Sequence, residues 1–254
     1  MRNLVSIIIP VYNAQEYVND TIQSVLSSDY ENIEVVCMDD GSTDNSLSIL
    51  KNWAKKDNRV KVLHQENAGV CAARNEAIKN SKGVYILPVD ADNILMPHFV
   101  SEAVNILDSN PNVKVVAPTI EYFGGRTGIS KIPKFSLSLL ARKNFIDVCA
   151  MYRRCDFERT EGYCSEIIAR EDWEFWITLL KNGGDVVIVE DVSYKYRVLK
   201  DSKRVKDRAL KHHMIDVLNK RHPEFFKKYL GGPLRYNRTY SRLINFFCRL
   251  FGND

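Results

Sequence analysis

The first half of the chain alternates short apolar runs with segments of helical periodicity. Apolar runs rich in β-branched residues and bounded by polar turns are typical of buried strands, and they lie at 5–9, 33–38, 60–64 and 83–89. Segments with apolar positions three or four residues apart separate them, at 14–28, 46–56 and 70–80. Thr43 or Asp44 is expected to cap the second of these helices. Strands separated by helices predict parallel β-α-β units with right-handed crossovers.

The second half of the chain is less regular. A helix is predicted at 97–108, a strand at 113–118 and a glycine-rich hairpin at 120–132. An irregular, loop-rich segment is expected to continue to about Gly162. An acidic helix is predicted next, at 171–180, and the sequence Asn182-Gly183-Gly184 is expected to end it. Strands are predicted at 186–189 and 193–198. Basic helical segments fill the remainder.

The composition is that of an ordinary globular protein, with 45% hydrophobic and 27% charged residues. No apolar stretch approaches the roughly 18 residues that a membrane-spanning helix needs. Pro10 interrupts the short N-terminal apolar run, so no secretory signal is predicted. The six cysteines are scattered without C-x-x-C pairs, which favours free thiols over structural zinc. We therefore expect a cytoplasmic protein.

Two carboxylates follow the apolar run at 83–89 directly, in the sequence Asp90-Ala91-Asp92. Open α/β folds bind their ligands at the carboxyl ends of the strands. Two carboxylates that face the same point repel each other unless a cation lies between them. Hard oxygen ligands favour Mg²⁺ or Mn²⁺, which commonly serve phosphate-bearing substrates. An exposed turn without a metal is the alternative for such a pair taken alone.

Other loops at successive strand ends carry groups that suit a nucleotide. An aromatic ring can stack on a base, a carboxylate can accept from a base N–H, and an arginine can pair with a diphosphate. A glycine allows close approach of the backbone. The candidates for nucleotide binding are Pro10, Tyr12, Asn13, Asp39, Asn67, Gly69, Arg74 and Asp90. Because these loops follow successive predicted strands, they are expected to converge on one face.

Five motifs in order make the chain strongly resemble the family 2 glycosyltransferases of GT-A fold, over roughly residues 4 to 198. The motifs are Val5-Ser6-Ile7-Ile8-Ile9-Pro10-Val11-Tyr12-Asn13, Asp39-Asp40-Gly41-Ser42-Thr43-Asp44, Asn67-Ala68-Gly69 with Ala73-Arg74-Asn75, Asp90-Ala91-Asp92 and Glu171-Asp172-Trp173-Glu174-Phe175-Trp176. The resemblance implies an α/β, Rossmann-like GT-A domain with a mixed central sheet at residues 1–199. Residues 200–254 would form a basic helical C-terminal extension.

The resemblance also implies a role for each matching residue. Asp39 would bind the nucleobase, usually uracil, inside the loop of Tyr12. Asp90 would contact the ribose or the sugar, and Asp92 would bind Mn²⁺ or Mg²⁺ at the diphosphate. Asp172 would be the general base that takes the proton of the acceptor hydroxyl. This role agrees with an inverting displacement, in which a carboxylate acts on the face opposite the leaving diphosphate.

The first turn of the helix at 171–180 allows two further expectations. The helix dipole lowers the pKa of a carboxylate at Asp172, while the neighbouring Glu171 opposes that effect. Trp173 and Trp176 lie three residues apart, so at least one is expected in the core, and the other could form a platform for a sugar.

One position departs from the family pattern. Many relatives follow the closing Tyr-Arg with a histidine that completes the metal site, whereas this chain has Leu199 there. Either the metal has one protein ligand fewer, or Lys200 or Arg204 binds the diphosphate directly.

The C-terminal residues differ in charge from the rest of the chain. Residues 200–254 carry 14 Lys and Arg against 5 Asp and Glu, a net charge of +9, and the preceding residues have a net charge of −5. Residues 237–251 predict an amphipathic helix with a basic flank, as in helices that lie on anionic membranes. The alternatives are docking on the chain's own core or in a homodimer. Nucleic acid is not expected as a partner, because no binding motif accompanies the charge.

The sequence thus predicts an inverting hexosyl- or N-acetylhexosaminyltransferase. The donor would be a nucleotide sugar, with UDP as the favoured nucleotide, and the acceptor a saccharide or a lipid-linked saccharide. The protein would be cytoplasmic or peripheral on the inner face of the membrane. The alternatives are a nucleotidyltransferase, which usually has a Gly-rich first loop that this chain lacks, and a catalytically silent sugar-nucleotide-binding subunit.

Overall fold

One mixed sheet organises the chain in the computed structural model, which describes residues 3–168, 170–199 and 203–235, the last range without the side chains of 203–209. The strands are β1 (Val5–Val11), β2 (Ile33–Asp40), β3 (Val60–Gln65), β4 (Tyr85–Pro88), β5 (Ile94–Leu95), β6 (Val113–Gly124), β7 (Gly128–Ile129), β8 (Met151–Arg153) and β9 (Asp185–Val198). The helices are α1 (Val18–Leu26), α2 (Ser46–Lys56), α3 (Val70–Lys79), α4 (Phe99–Ser109), α5 (Leu137–Leu140), α6 (Arg154–Phe157), α7 (Glu171–Leu180), α8 (Lys203–Arg221) and α9 (Pro223–Leu230).

The strand order places the predicted loops at one edge of the sheet. The order is β3-β2-β1-β4-β8-β6-β9-β5, with β7 paired to β6. Strands β1 to β4 are mutually parallel, while β8 runs antiparallel to both β4 and β6. The loops that follow β1, β2, β3 and β4 therefore leave the same edge, where α/β folds bind ligands. The predicted α/β fold with a mixed central sheet is confirmed.

The central strands are apolar because both faces of the sheet are covered. All seven residues of β1 are buried. Along this strand Ile8 packs into one core, with Trp173 and Trp176, whereas Ile7 and Ile9 pack into the core on the opposite face. A strand buried on both faces shows a continuous apolar run rather than an alternation, as the sequence does here.

Several predicted boundaries change in the structure. Pro10 was expected in a loop, but it is the sixth residue of β1 and lies opposite Met38. The predicted irregular segment before Gly162 contains β8, which lies in the middle of the sheet. The two predicted closing strands are one strand, β9, which pairs with β6 through several register shifts.

The C-terminal helices share the core of the main domain. Met214, Ile215 and Leu218 of α8 and Phe225 and Phe226 of α9 are buried in the same core as α7. The part of the predicted extension at 210–235 is therefore packed on the domain that precedes it. The amphipathic helix predicted at 237–251 lies outside the described residues. None of the helices in the described ranges is long and apolar enough to span a membrane.

Candidate active site

Two loops at the sheet edge, after β1 and β2, are joined to each other by hydrogen bonds. The Thr43 backbone N–H donates to Asn13 Oδ1 at 2.8 Å, and the Asn13 backbone N–H donates to Ser42 Oγ at 3.1 Å. Asn13 takes a left-handed conformation with φ 50°. The side chain of Tyr12 is left 53% exposed beside this junction, while Pro10 is buried in β1. The structure therefore leaves Tyr12 accessible and uses Asn13 to hold the neighbouring loop.

Asp39, the next-to-last residue of β2, is a fully buried carboxylate with one oxygen that has no hydrogen-bond partner among the described residues. Its Oδ2 lies 2.7 Å from His64 Nδ1 and accepts from the Ser42 N–H at 3.4 Å. Its Oδ1 is buried and has no hydrogen-bond partner within the described ranges. A buried carboxylate oxygen without a donor is costly. Asp39 is thus suited to accept a hydrogen bond from a ligand. His64, which orients it, was not predicted from the sequence.

Asp40, the neighbour of Asp39, organises the loop before α3. Its two carboxylate oxygens accept from the backbone N–H groups of Ala68 at 2.9 Å and Gly69 at 3.0 Å. Gly69 has φ 89°, which favours glycine, and a Cβ built there meets no atom within 4 Å. The backbone at Gly69 is therefore open to close approach. Asn67 is exposed in the same loop.

Arg74 occupies a different position from the predicted one. It is only 2% exposed, and its Nη1 and Nη2 donate to Glu171 Oε1 and Asp90 Oδ1, each at 2.7 Å. Because the side chain is buried, Arg74 forms an internal ion triad with Asp90 and Glu171 in place of the expected diphosphate contact. Burial disfavours the charged guanidinium, yet Asp90 and Glu171 hold its pKa well above the ordinary value. The triad joins the end of β4 to the start of α7.

Asp92 lies on a turn that Arg197 of β9 holds in place. Arg197 Nε donates to the Asp92 carbonyl at 2.9 Å, and the Arg197 backbone N–H donates to Asn93 Oδ1 at 2.7 Å. Burial, with the charge of Asp90 next, raises the pKa of the Asp92 carboxyl to about 7. A cation beside Asp90 and Asp92 would relieve this repulsion, so their oxygens fit a hard divalent ion. No cluster of three or more metal-ligating side chains occurs in the described ranges.

The predicted base, Asp172, is partly buried at the start of α7 and is held on both carboxylate oxygens. Asn144 Nδ2 donates to Oδ2 at 2.6 Å, and the Trp173 backbone N–H donates to Oδ1 at 2.9 Å. Loss of hydration, followed by the charges of Glu171 and Asp147, raises the pKa of Asp172 well above the ordinary range. The expected lowering by the helix dipole is therefore outweighed. The preceding residue, Arg170, has a φ of 57°, which is a strained backbone conformation for a residue other than glycine.

Both tryptophans of α7 are buried and hydrogen-bond to the segment that holds the predicted base. Trp173 and Trp176 are 0% exposed, so neither forms the predicted platform for a sugar. Their indole N–H groups donate to the carbonyls of Leu140 at 2.7 Å and Ile146 at 3.1 Å. These two bonds fix the segment that carries Asn144 against Asp172.

Asp147 is a further residue of the site that sequence reasoning missed. It is partly buried, and its pKa is raised to about 6, chiefly by burial, with the charge of Asp90 adding to the effect. Arg74 and Glu171 also act on it electrostatically. Asn144 and Asp147 lie in the segment that the sequence showed only as irregular. The available signal was the charged Asp147 within the otherwise apolar stretch 145–150, with Asn144 directly before that stretch.

Two predicted diphosphate contacts cannot be placed. Lys200 lies outside the described residues, and the side chain of Arg204, in α8, is not among those described. Leu199 ends the described part of this segment.

Comparison with known proteins identifies the family of the chain. The family model for glycosyl transferase family 2 matches residues 6–168. The chain belongs to glycosyltransferase family 2. The family relationship predicted from the motifs is confirmed.

Individual relatives of this family 2 member are named as glycosyltransferases. TuaG of Bacillus subtilis, named for teichuronic acid biosynthesis, is 30% identical over 79% of this chain and 81% of its own length. GlyG of Streptococcus pneumoniae is 44% identical to this chain, and the match covers 39% of this chain but only 34% of that glycosyltransferase.

Solved structures share the fold of this family 2 member at low sequence identity. TarS of S. aureus, in complex with UDP-GlcNAc, superposes with a TM-score of 0.71 at 21% identity, covering 89% of this chain and 71% of that one. The mannosyltransferase PcManGT of Pyrobaculum calidifontis, with GDP-Man and Mn²⁺, gives 0.68 at 20% identity, covering 91% and 69%.

Proposed function

We propose that this glycosyltransferase moves a sugar from a nucleoside diphosphate donor to a hydroxyl of a saccharide acceptor, with inversion at the anomeric carbon. The observation that carries the proposal is the Arg74 bridge between Asp90 and Glu171. This bridge places the segment after β4, which carries Asp90 and Asp92, beside the start of α7, which carries Asp172. A donor sugar and an acceptor hydroxyl could thus meet between the two.

The nucleobase is proposed to lie against Tyr12 and Asp39. The exposed ring of Tyr12 offers a stacking face, and Asp39 Oδ1 is a buried acceptor without a partner among the described residues. Uracil presents an imide N–H that such an oxygen accepts. TarS was solved with UDP-GlcNAc, which supports UDP as the nucleotide here, and an N-acetylhexosamine or a hexose as the sugar.

The reaction is a single in-line displacement. Asp172 accepts the proton of the acceptor hydroxyl while the acceptor oxygen forms a bond to the anomeric carbon. The bond from that carbon to the diphosphate oxygen breaks, and the nucleoside diphosphate leaves with its electron pair. Because no covalent intermediate forms on the protein, one base on the acceptor side suffices. Asp172 must be deprotonated to act, and its raised pKa makes it a stronger base than an exposed carboxylate.

Asp92 is proposed to hold Mn²⁺ or Mg²⁺, with Asp90 close by. The ion would supply positive charge against the diphosphate of the donor. Removal of divalent ions with EDTA is expected to lower turnover by at least about a hundredfold, and Mn²⁺ or Mg²⁺ should restore it. Full turnover after removal would refute a required metal.

The acceptor is proposed to be a growing polysaccharide or a lipid-linked saccharide, in line with the name of TuaG. Residues 237–251 would then bind an anionic membrane surface, with a homodimer contact as the alternative use of this segment. Deletion of 237–254 should release the protein from anionic liposomes. Undiminished binding of the shortened chain would exclude this role.

A donor screen tests the proposed function as a whole. Nucleotide release from UDP-, GDP- and dTDP-sugars would be measured with and without saccharide acceptors, alongside calorimetric binding of each nucleotide. We expect binding of UDP and acceptor-dependent release from a UDP-sugar. Binding without acceptor-dependent release for any donor would favour a silent binding subunit, and pyrophosphate as the product would favour nucleotidyl transfer.

A further inference from the structure

Arg74 is a buried cation that takes no part in the bond changes of the proposed reaction. We propose that it is a positioning residue, which holds the donor carboxylate Asp90 and the segment of the catalytic base Asp172 in one fixed frame. The inference rests on the proposed function, because the two segments are those that carry donor and base.

The contacts of Arg74 leave it little freedom. Nη1 and Nη2 reach two carboxylates that lie 97 and 16 residues away in the chain, each at 2.7 Å. The guanidinium also lies 5.5 Å from the ring of Tyr163. That tyrosine is fixed by Asn75, whose side chain makes two hydrogen bonds of 2.8 Å to the Tyr163 backbone. A planar fork with two occupied arms defines direction as well as distance.

The helix that carries Arg74 is itself anchored to the nucleotide side of the site. α3 follows Gly69, whose backbone N–H is bound by Asp40 at the end of β2. A shift of the base segment therefore reaches the donor side through Glu171, Arg74 and α3. This continuity distinguishes Arg74 from a cation that merely stabilises the fold.

The charge of Arg74 also offsets a concentration of carboxylates. Asp90, Asp147 and Glu171 all interact electrostatically with it or with one another, and Asp172 interacts with Glu171 and Asp147. Without the guanidinium these groups would repel each other across the gap between β4 and α7. A lysine would keep the charge but could not bind two carboxylates in fixed directions. Arg74→Lys therefore separates geometry from charge.

The test compares Arg74→Lys with a matched control, Arg154→Lys. Arg154 is a second guanidinium with several partners, but it donates to Gly83 O at 2.6 Å, Ile78 O at 3.1 Å and Ser81 Oγ at 2.6 Å, away from the site carboxylates. For both variants kcat, KM for donor and acceptor, and the melting temperature would be measured. We expect Arg74→Lys to lower kcat by about tenfold to a hundredfold. Arg154→Lys should leave kcat within about twofold at a similar loss of melting temperature. Equal kcat losses at equal destabilisation would overturn the inference.

A double-mutant cycle with Glu171→Gln provides a readout that a structural role would not move. Nucleotide affinity would be measured by calorimetry for the wild type, both single variants and the double variant. We expect Glu171→Gln to change nucleotide affinity severalfold when Arg74 is present and to have little further effect in Arg74→Lys. Additive effects would contradict the inference while leaving the proposed function intact. Absence of nucleotide binding by the wild type would instead refute the proposed function.

Discussion

Two carboxylates on α7, Asp172 and Glu174, are two residues apart and have opposite environments. Glu174 is 0% exposed, and its Oε1 accepts hydrogen bonds from Thr178, Arg221 and His222 at 2.7 to 2.9 Å. Burial alone would raise the pKa of Glu174, but these bonds hold it below the ordinary value. Asp172 is only partly buried, lies beside other carboxylates and has a raised pKa.

The difference shows that burial does not identify the reactive carboxylate. Glu174 is the more deeply buried of the two, yet Arg221, the last residue of α8, and His222, directly before α9, hydrogen-bond to its Oε1 and join the C-terminal helices to α7. Among the described residues, Asp172 has only the Asn144 amide and the Trp173 backbone N–H as donors, so its charged form is poorly stabilised. A carboxylate that is poorly stabilised in its charged form and still accessible to a ligand is suited to accept a proton.

The largest expected effect on folding comes from Glu174→Ala. The substitution leaves Arg221 and His222 without their shared acceptor, and removal of one partner of a buried pair costs about 3 kcal/mol or more. Urea unfolding would measure the loss, and kcat per folded molecule should stay within about twofold. A large loss of kcat in fully folded protein would contradict the structural role of Glu174.

The next effect concerns the amide that holds the base. Asn144→Leu removes a hydrogen bond to the charged form of Asp172, so the pKa of Asp172 should rise further. Because the base must be deprotonated, the rise of kcat/KM with pH should move to higher pH. Turnover at pH 7 should fall by about tenfold, as expected for a lost bond to a charged group. Asn112→Leu, which removes an exposed bond to Asp185 Oδ2, is the matched control. Identical pH profiles in all three proteins would contradict this role.

The smallest effect is the opposite pH dependence of folding stability in two isosteric variants. The lowered pKa of Glu174 adds stability above its unfolded pKa of about 4.3, and this stability is lost as the pH falls through the folded value. The raised pKa of Asp172 has the reverse sign, so stability declines as the pH rises from about 4 through the folded value. Glu174→Gln should therefore lose stability relative to the wild type near neutral pH, whereas Asp172→Asn should gain it. Parallel stability curves for the two variants would contradict the comparison.

The sequence predicted local elements well where local signals suffice. The predicted bounds of α2 and α7 agree with the structure, because periodicity and end signals mark both helices within the segment itself. β8 was missed, since a three-residue strand exists only through its pairing with β4 and β6. The sequence placed these loops after successive predicted strands and so predicted that they converge, and the loops after β1, β2 and β4 do leave the same edge of the sheet.

The internal pairing of the site could not be read from the sequence. Nothing in the pattern around Arg74 shows that its side chain turns inward to Glu171, 97 residues away. For the same reason the two tryptophans of α7 could not be assigned to core or surface before the neighbouring segment was placed. Asn144 and Asp147 gain their importance only from the fold, which brings an irregular segment against the start of α7.

The most direct test of the central claim is acceptor-dependent nucleotide release by Asp172→Asn, with Glu174→Gln as the control. We predict that Asp172→Asn has a melting temperature no lower than that of the wild type and the same donor affinity, while kcat falls by about a hundredfold to ten-thousandfold. Glu174→Gln should retain kcat per folded molecule and lose stability. Wild-type turnover by Asp172→Asn would contradict the assignment of the base and, with it, the distinction between the two carboxylates of α7.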